Sequence, residues 1–175
     1  SLRMRPMARG TEPLELMGAR FQQLGEVGRL PITVRGCSRL NPLEWNSPVA
    51  SGQIKSSLLL AGLTGHARIV VTEPLESRDH TERLFNAVGA TVIGQEIDTG
   101  WRVEMPHPPD EIGPLDFTVP GDISSAAFVL TLAALGGAGK ELTIESVGLN
   151  RTRTAFLDVL SRMGVDIEVH DRTPE

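Results

Sequence analysis

Residues 48–71, PVASGQIKSSLLLAGLTGHARIVV, and residues 120–144, PGDISSAAFVLTLAALGGAGKELTI, read as two copies of one design. Each opens on Pro and small polar residues and runs into a long apolar helical stretch. Each stretch ends in Leu-x-Gly (Leu63–Gly65 and Leu135–Gly137), and a short β-branched strand follows. The similarity extends downstream. LESRDHTERLFNAVGATVI (75–93) and LNRTRTAFLDVLSRMGVDIEV (149–169) each carry Arg at a helix start and end the helix on hydrophobe-Gly-Ala/Val. A strand of period two follows each. A partial third copy, RPMARGTEPLELMGARFQQLG (5–25), ends in Met17-Gly18-Ala19. Gly18, Gly89 and Gly164 therefore recur in one context, where a left-handed glycine just past a helix end is expected. The unit reads β-α-β-α-β-β.

The stretches 51–62 and 124–135 are apolar almost all round. Helices of that kind are buried rather than surface-lying. The expectation is an α/β (α+β) fold with helices inside and sheets outside, the inverse of a doubly wound sheet. MPHPPDEIGPLDF (105–117) has several Pro and Gly and no periodicity, and reads as a linker or boundary.

The bulk numbers exclude whole classes. With 175 residues the chain can bury a real core, and 40% apolar and 22% charged residues are globular values. A net charge of −5 argues against a general nucleic-acid binder but leaves room for a local basic pocket. Cys37 is the one cysteine, so no internal disulfide forms, and a reducing cytoplasmic setting is expected. The most apolar run, 126–135, is about half of the roughly 20 residues a membrane span needs. No HxxxH, CxxC, GxGxxG or phosphate-loop signature occurs.

Four places could carry chemistry. In SGQIKSS (51–57), Ser51 suits a helix N-cap, Gly52 admits a ligand close to the backbone, and Gln53 adds an amide. The plain alternative is an ordinary capped helix, with Lys55 solvated or at an interface. Arg78 sits at a helix start, where Asp79 reads as a cap and Glu82 as its capping-box partner. A guanidinium there is misplaced for the helix dipole, which favours an anion. Either it pairs with Asp79 or Glu82 on the surface, or it is a fork for a phosphate or carboxylate. Arg5 precedes Pro6, which suits a first helical turn, so Arg5 also borders a helix N-terminus. With Arg151, three arginines at repeated helix mouths describe an anion-lined cleft. Asp122 reads as a helix cap before it reads as a base.

Together, SGQIKSSLLLAGL (51–63), TEPLESRDHTERL (72–84), VPGDISSAAF (119–128) and LNRTRT (149–154) resemble the EPSP synthase (3-phosphoshikimate 1-carboxyvinyltransferase) family. The resemblance covers essentially the whole chain, and the SRDHTER block is similar to bacterial classes that include glyphosate-insensitive members. It implies two domains of βαβαββ units with buried helices, an inside-out α/β barrel, and an active site in the cleft between them. Residues 1–117 would be the later part of the phosphoshikimate-binding domain, and 118–175 the first unit of the other domain. The implied reaction transfers the enolpyruvyl group of phosphoenolpyruvate to the 5-hydroxyl of shikimate 3-phosphate, with no metal or organic cofactor. Residue by residue, Ser51, Gly52, Gln53 and Arg78 would bind shikimate 3-phosphate, and Arg5 with Gln53 would bind phosphoenolpyruvate. Position 52 departs from the pattern, because Ala or Ser is usual there.

The family's catalytic acid/base residues match nothing here, so the chain reads as an inactive internal fragment, open to self-association through surface left uncovered. Two other readings stand beside this one. One is a UDP-N-acetylglucosamine enolpyruvyl transferase-like enzyme. The other is a repeat-built structural segment without a ligand site.

Overall fold

The structure, a computed structural model, describes residues 2–37, 39–136 and 141–170. The chain divides into two compact units, the first ending at Leu115 and the second starting at Asp116.

In the first unit a single 3-10 turn (Leu2–Met4) precedes α1 (Ala8–Leu16) and the antiparallel pair β1 (Arg20–Gln23) and β2 (Ile32–Arg35). A full β-α-β-α-β-β succession follows: β3 (Leu43–Asn46), α2 (Gly52–Thr64), β4 (Ile69–Glu73), α3 (His80–Ala87), β5 (Ile93–Ile97) and β6 (Gly100–Met105). The sheet order is β3-β4-β6-β5. β3 runs parallel to β4 in register Leu43–Ile69, as the crossover through α2 allows, and the other pairings are antiparallel. β4 is one of the two interior strands, and its Ile69, Val70 and Val71 are fully buried. Leu58 and Leu59 of α2 pack with Phe85 of α3, Val103 and Met105 of β6, and Met17 into one core.

The recurring glycines do what their context implies. Gly18, Gly89 and Gly164 have φ of 110°, 91° and 94°. Each donates to the carbonyl three residues back, at Glu15, Asn86 and Ser161. The next residue then reaches five back: Ala19 to Leu14 at 3.0 Å, Ala90 to Phe85 at 2.8 Å and Val165 to Leu160 at 3.1 Å. These are three complete Schellman stops, each with its apolar pair.

α1 begins at Ala8 with Met7 as its cap, so Pro6 lies outside the first turn and Arg5 on a bend ahead of it. The reading of Pro6 as a first-turn residue is thereby corrected. Pro13 is the proline inside α1.

The second unit holds α4 (Ile123–Leu135) and α5 (Ala155–Arg162). Asp122 caps α4, accepting from the Ser124 N–H at 2.9 Å, and this bond first of all holds its carboxyl below the ordinary range. The strands expected at 141–144 and 165–169 are not formed, and the isolated bridge among the described residues joins Gly121 to Val147. A strand is completed by its neighbour, and no neighbour lies beside them among the described residues. The burial expected of α4 fails for a related reason. Only Ile123 and Ala126 are buried, while Phe128 is 81% and Leu132 70% exposed. Nothing described in this unit covers that apolar face. The Gly137 end of the second Leu-x-Gly lies outside the described residues.

Candidate functional site

The site is built at the start of α2. Ser51 is its N-cap: extended backbone (φ −148°, ψ 102°) and a hydroxyl that accepts from the Ile54 N–H at 3.4 Å. The Ser51 N–H donates to Glu73 Oε1 at 2.7 Å. The Gly52 and Gln53 N–H groups belong to the first turn, where a helix supplies no acceptor of its own. Gly52, Gln53, Ser56, Arg78, His80 and Thr81 line a concavity of about 460 Å3, within the range of small-molecule sites. A side chain at position 52 would begin 3.3 Å from Arg78 Cβ and 3.6 Å from its Nε, so the guanidinium stem lies over the glycine.

The two carboxylates that a surface-paired Arg78 would use are both engaged elsewhere. Asp79 Oδ2 takes Arg83 Nε at 2.7 Å and makes no side-chain cap to α3. Glu82 takes Lys55. The capping box at Asp79 and Glu82 is therefore absent: the ion pairs described for these two acids go to Arg83 and Lys55, while Arg78 lines the concavity. Arg5 is exposed and does not line it, and Arg151 lies in the second unit.

Beneath the concavity lies a cluster that residue patterns missed. Lys55 is fully buried. Its Nζ lies 2.6 Å from Glu82 Oε1, 3.3 Å from Glu73 Oε2 and 3.4 Å from the Ser77 carbonyl. Glu73 Oε2 also accepts the Ser77 hydroxyl at 2.6 Å. The reading of Lys55 as solvated is overturned: one helical turn past Ser51, its side chain points under the site, toward carboxylates supplied by β4 and α3. A lysine inside an apolar helix and a glutamate ending an apolar strand are the local signals, each ambiguous alone. A neutral bond between Ser56 and Thr81 hydroxyls, 2.6 Å, ties α2 to α3 on the rim.

The Lys55–Glu82 contact is an ion pair lying outside hydrogen-bond angles, and the second Glu82 oxygen is buried without a partner. Burial raises the Glu82 carboxyl above its ordinary 4.5 by more than Lys55 lowers it. A raised carboxyl holds its proton more tightly in the folded state. Its stabilising share is complete below the unfolded value and is lost as pH rises through the folded one. Glu82→Gln, uncharged throughout, should thus gain on the parent in urea midpoint as pH climbs from 4.5 toward neutrality. A constant offset across that range would contradict the assignment.

Among the described residues no group of three or more His, Cys, Asp or Glu is placed to hold a metal ion. No helix there is long and apolar enough to cross a membrane. What the concavity offers is a guanidinium, helix-start N–H groups and an amide, donors suited to an oxyanion, while its hydroxyls are engaged with one another and with the Ile54 carbonyl.

Comparison with known proteins bears on the family of the chain. The sequence model of EPSP synthase (3-phosphoshikimate 1-carboxyvinyltransferase) matches residues 1–174. The chain is 46% identical over 172 residues to the 3-phosphoshikimate 1-carboxyvinyltransferase of Novosphingobium aromaticivorans, covering 98% of this chain and 38% of that protein. It is 46% identical over 175 residues to that of Synechocystis, covering all of this chain and 37% of the relative. Among solved structures, EPSP synthase from Acinetobacter baumannii superposes with a TM-score of 0.80 at 38% identity, over 98% of this chain and 38% of that one. The chain thus spans under two-fifths of the length of these relatives. On this match, and on a mixed α/β architecture shared with the solved relative, the chain belongs to the EPSP synthase family.

Proposed function

We propose that this chain contributes part of the shikimate 3-phosphate site of an enzyme that transfers enolpyruvyl from phosphoenolpyruvate to the 5-hydroxyl of that substrate, releasing phosphate. The observation that carries this reading is the meeting of Gly52, Gln53 and Arg78 on one concavity, with the neighbouring acids Asp79 and Glu82 paired away from Arg78. Ser51 and Gly52 supply the helix start for the phosphate, Arg78 its counter-charge, and Gln53 reaches toward both substrates. Gly52 has no side chain to donate, so its share is the backbone N–H. Arg5, exposed on its bend, is assigned to phosphoenolpyruvate on the family resemblance alone. Two multiply charged substrates brought together repel, and fixed guanidinium groups offset that repulsion before an addition–elimination through a tetrahedral intermediate.

In this reading residues 1–117 complete one domain of an inside-out α/β architecture and 118–175 open the other. The apolar face of α4 supports that assignment, since a buried role for it requires further units. The general acid/base groups lie outside the chain.

Titration of the 175-residue chain with shikimate 3-phosphate is the test. Amide signals of Gly52 and Gln53 and the Arg78 Nε–H should shift together, and Arg78→Leu should weaken binding about tenfold or more. Absence of any shift at millimolar ligand would refute the site and favour a structural segment. The same sample, given both substrates, should release no phosphate above background. Steady release would show that the chain carries acid/base groups this reading places elsewhere.

A further inference from the structure

We propose that buried Lys55 is a positioning residue, a brace between Glu73 and Glu82 that holds the Ser51–Gln53 helix start in register with the Ser77–Arg78 segment. This inference rests on the proposed function for its ligand and on geometry for its mechanism.

The two halves of the site are separated in sequence, and few contacts join them. Glu73, at the end of β4, is bonded to both: Oε1 takes the Ser51 N–H and Oε2 takes the Ser77 hydroxyl, at 2.7 and 2.6 Å. Lys55 then locks this hinge point to α3 through Glu82, and touches the Ser77 carbonyl directly before Arg78. Its ammonium makes no direct contact with a ligand in the concavity, because Lys55 is fully buried and is not among the residues that line it.

Burying three ionisable groups is a poor way to gain stability, since apolar residues of similar volume do as well or better. An apolar cluster, however, has no preferred direction. One ammonium set between two carboxylates and hydrogen-bonded to the Ser77 carbonyl fixes the separation of the segments that carry them, and a phosphate fork depends on that separation.

Lys55→Met alone leaves two carboxylates unpaired, so the discriminating variants are Lys55→Met/Glu82→Leu, which removes the pair together, and Glu82→Gln, which keeps an acceptor for Lys55. The fold is followed by β4 and β6 amide signals. The brace is read, without ligand, from the proton contact between Gly52 Hα and Arg78 Hβ. Binding is read with shikimate 3-phosphate, and with inorganic phosphate as the simplest dianion.

The double variant should keep the sheet signals, lose the Gly52–Arg78 contact and bind at least tenfold more weakly. Glu82→Gln should keep the contact and stay within about twofold. A double variant with contact and affinity unchanged overturns the brace. So does a Glu82→Gln variant that loses as much as the double. If the parent shows the contact, the double variant loses it, and neither probe binds the parent, the brace stands and the functional reading fails.

Discussion

Lys55→Met should destabilise the first unit by about 3–5 kcal/mol, the usual cost of removing one partner from a buried ion pair. The substitution keeps nearly all of the side-chain volume, so packing is not the source. The source is what remains: Glu73 and Glu82 facing one another across the space the ammonium filled. They are not equally stranded. Glu73 keeps the Ser51 N–H and the Ser77 hydroxyl, whereas Glu82 has one oxygen already without a partner and loses the ion pair on the other. Glu82 should respond by taking up a proton, because burial already favours its neutral form. The deficit should therefore be largest near neutrality and shrink in mild acid. Thermal unfolding is the measurement, with a drop on the order of 10 °C or more expected at pH 7. A variant unfolding within a few degrees of the parent would mean that the cluster is not buried as described.

The same cluster shows where reading from residues runs out. The β-α-β-α-β-β order was legible because its punctuation is local. Gly18, Gly89 and Gly164 each sit where a helix must stop with positive φ, and each stop takes the same two hydrogen bonds. The Ser51 cap was legible for the same reason, as a hydroxyl three residues from the N–H it accepts. Lys55 was not. Its partners come from another strand and another helix, and nothing within α2 distinguishes a lysine headed for water from one headed for Glu73. Asp79 and Glu82 match the capping-box pattern, yet both are drawn into ion pairs, so tertiary charge pairing overrides the local signature. In the second unit the error runs the other way. The apolar stretch of α4 reads as buried and the segments 141–144 and 165–169 as strands, and among the described residues the cover and the partner strands those readings call for are missing. Arg78 lies between these cases. Its misfit with the helix dipole was visible, and only the fold shows Asp79 and Glu82 occupied elsewhere.

Two glycine-to-alanine changes should have opposite signs, although both lie inside helices. Removing a helical glycine ordinarily stabilises by about 0.5–1 kcal/mol, because alanine restricts the unfolded chain. Gly10, in α1, should show that gain, since a Cβ there meets nothing within 4 Å. Gly62, in α2, should not. Its Cβ would clash with Ile69 Cγ1 and lie 2.9 Å from Met105 Cε and 2.9 Å from the Ala67 carbonyl oxygen. Side-chain tips can turn aside, but that carbonyl belongs to the turn closing α2 onto β4, held by the Ala67 N–H on the Gly62 carbonyl at 2.9 Å. Relief requires lifting the helix from β4, where Leu58, Leu59 and Ile69 are fully buried. Overpacking of that kind costs about 1–3 kcal/mol and exceeds the propensity gain. The repeat carries its own control. In the register that pairs Leu63 with Leu135, the position matching Gly62 is Ala134, on a helix with no strand described against it. Urea midpoints decide: Gly10→Ala should move up and Gly62→Ala down. A Gly62→Ala variant as stable as the parent would show that α2 does not approach β4 as closely as its glycine permits, and that the floor of the proposed site is looser than the Lys55 brace requires.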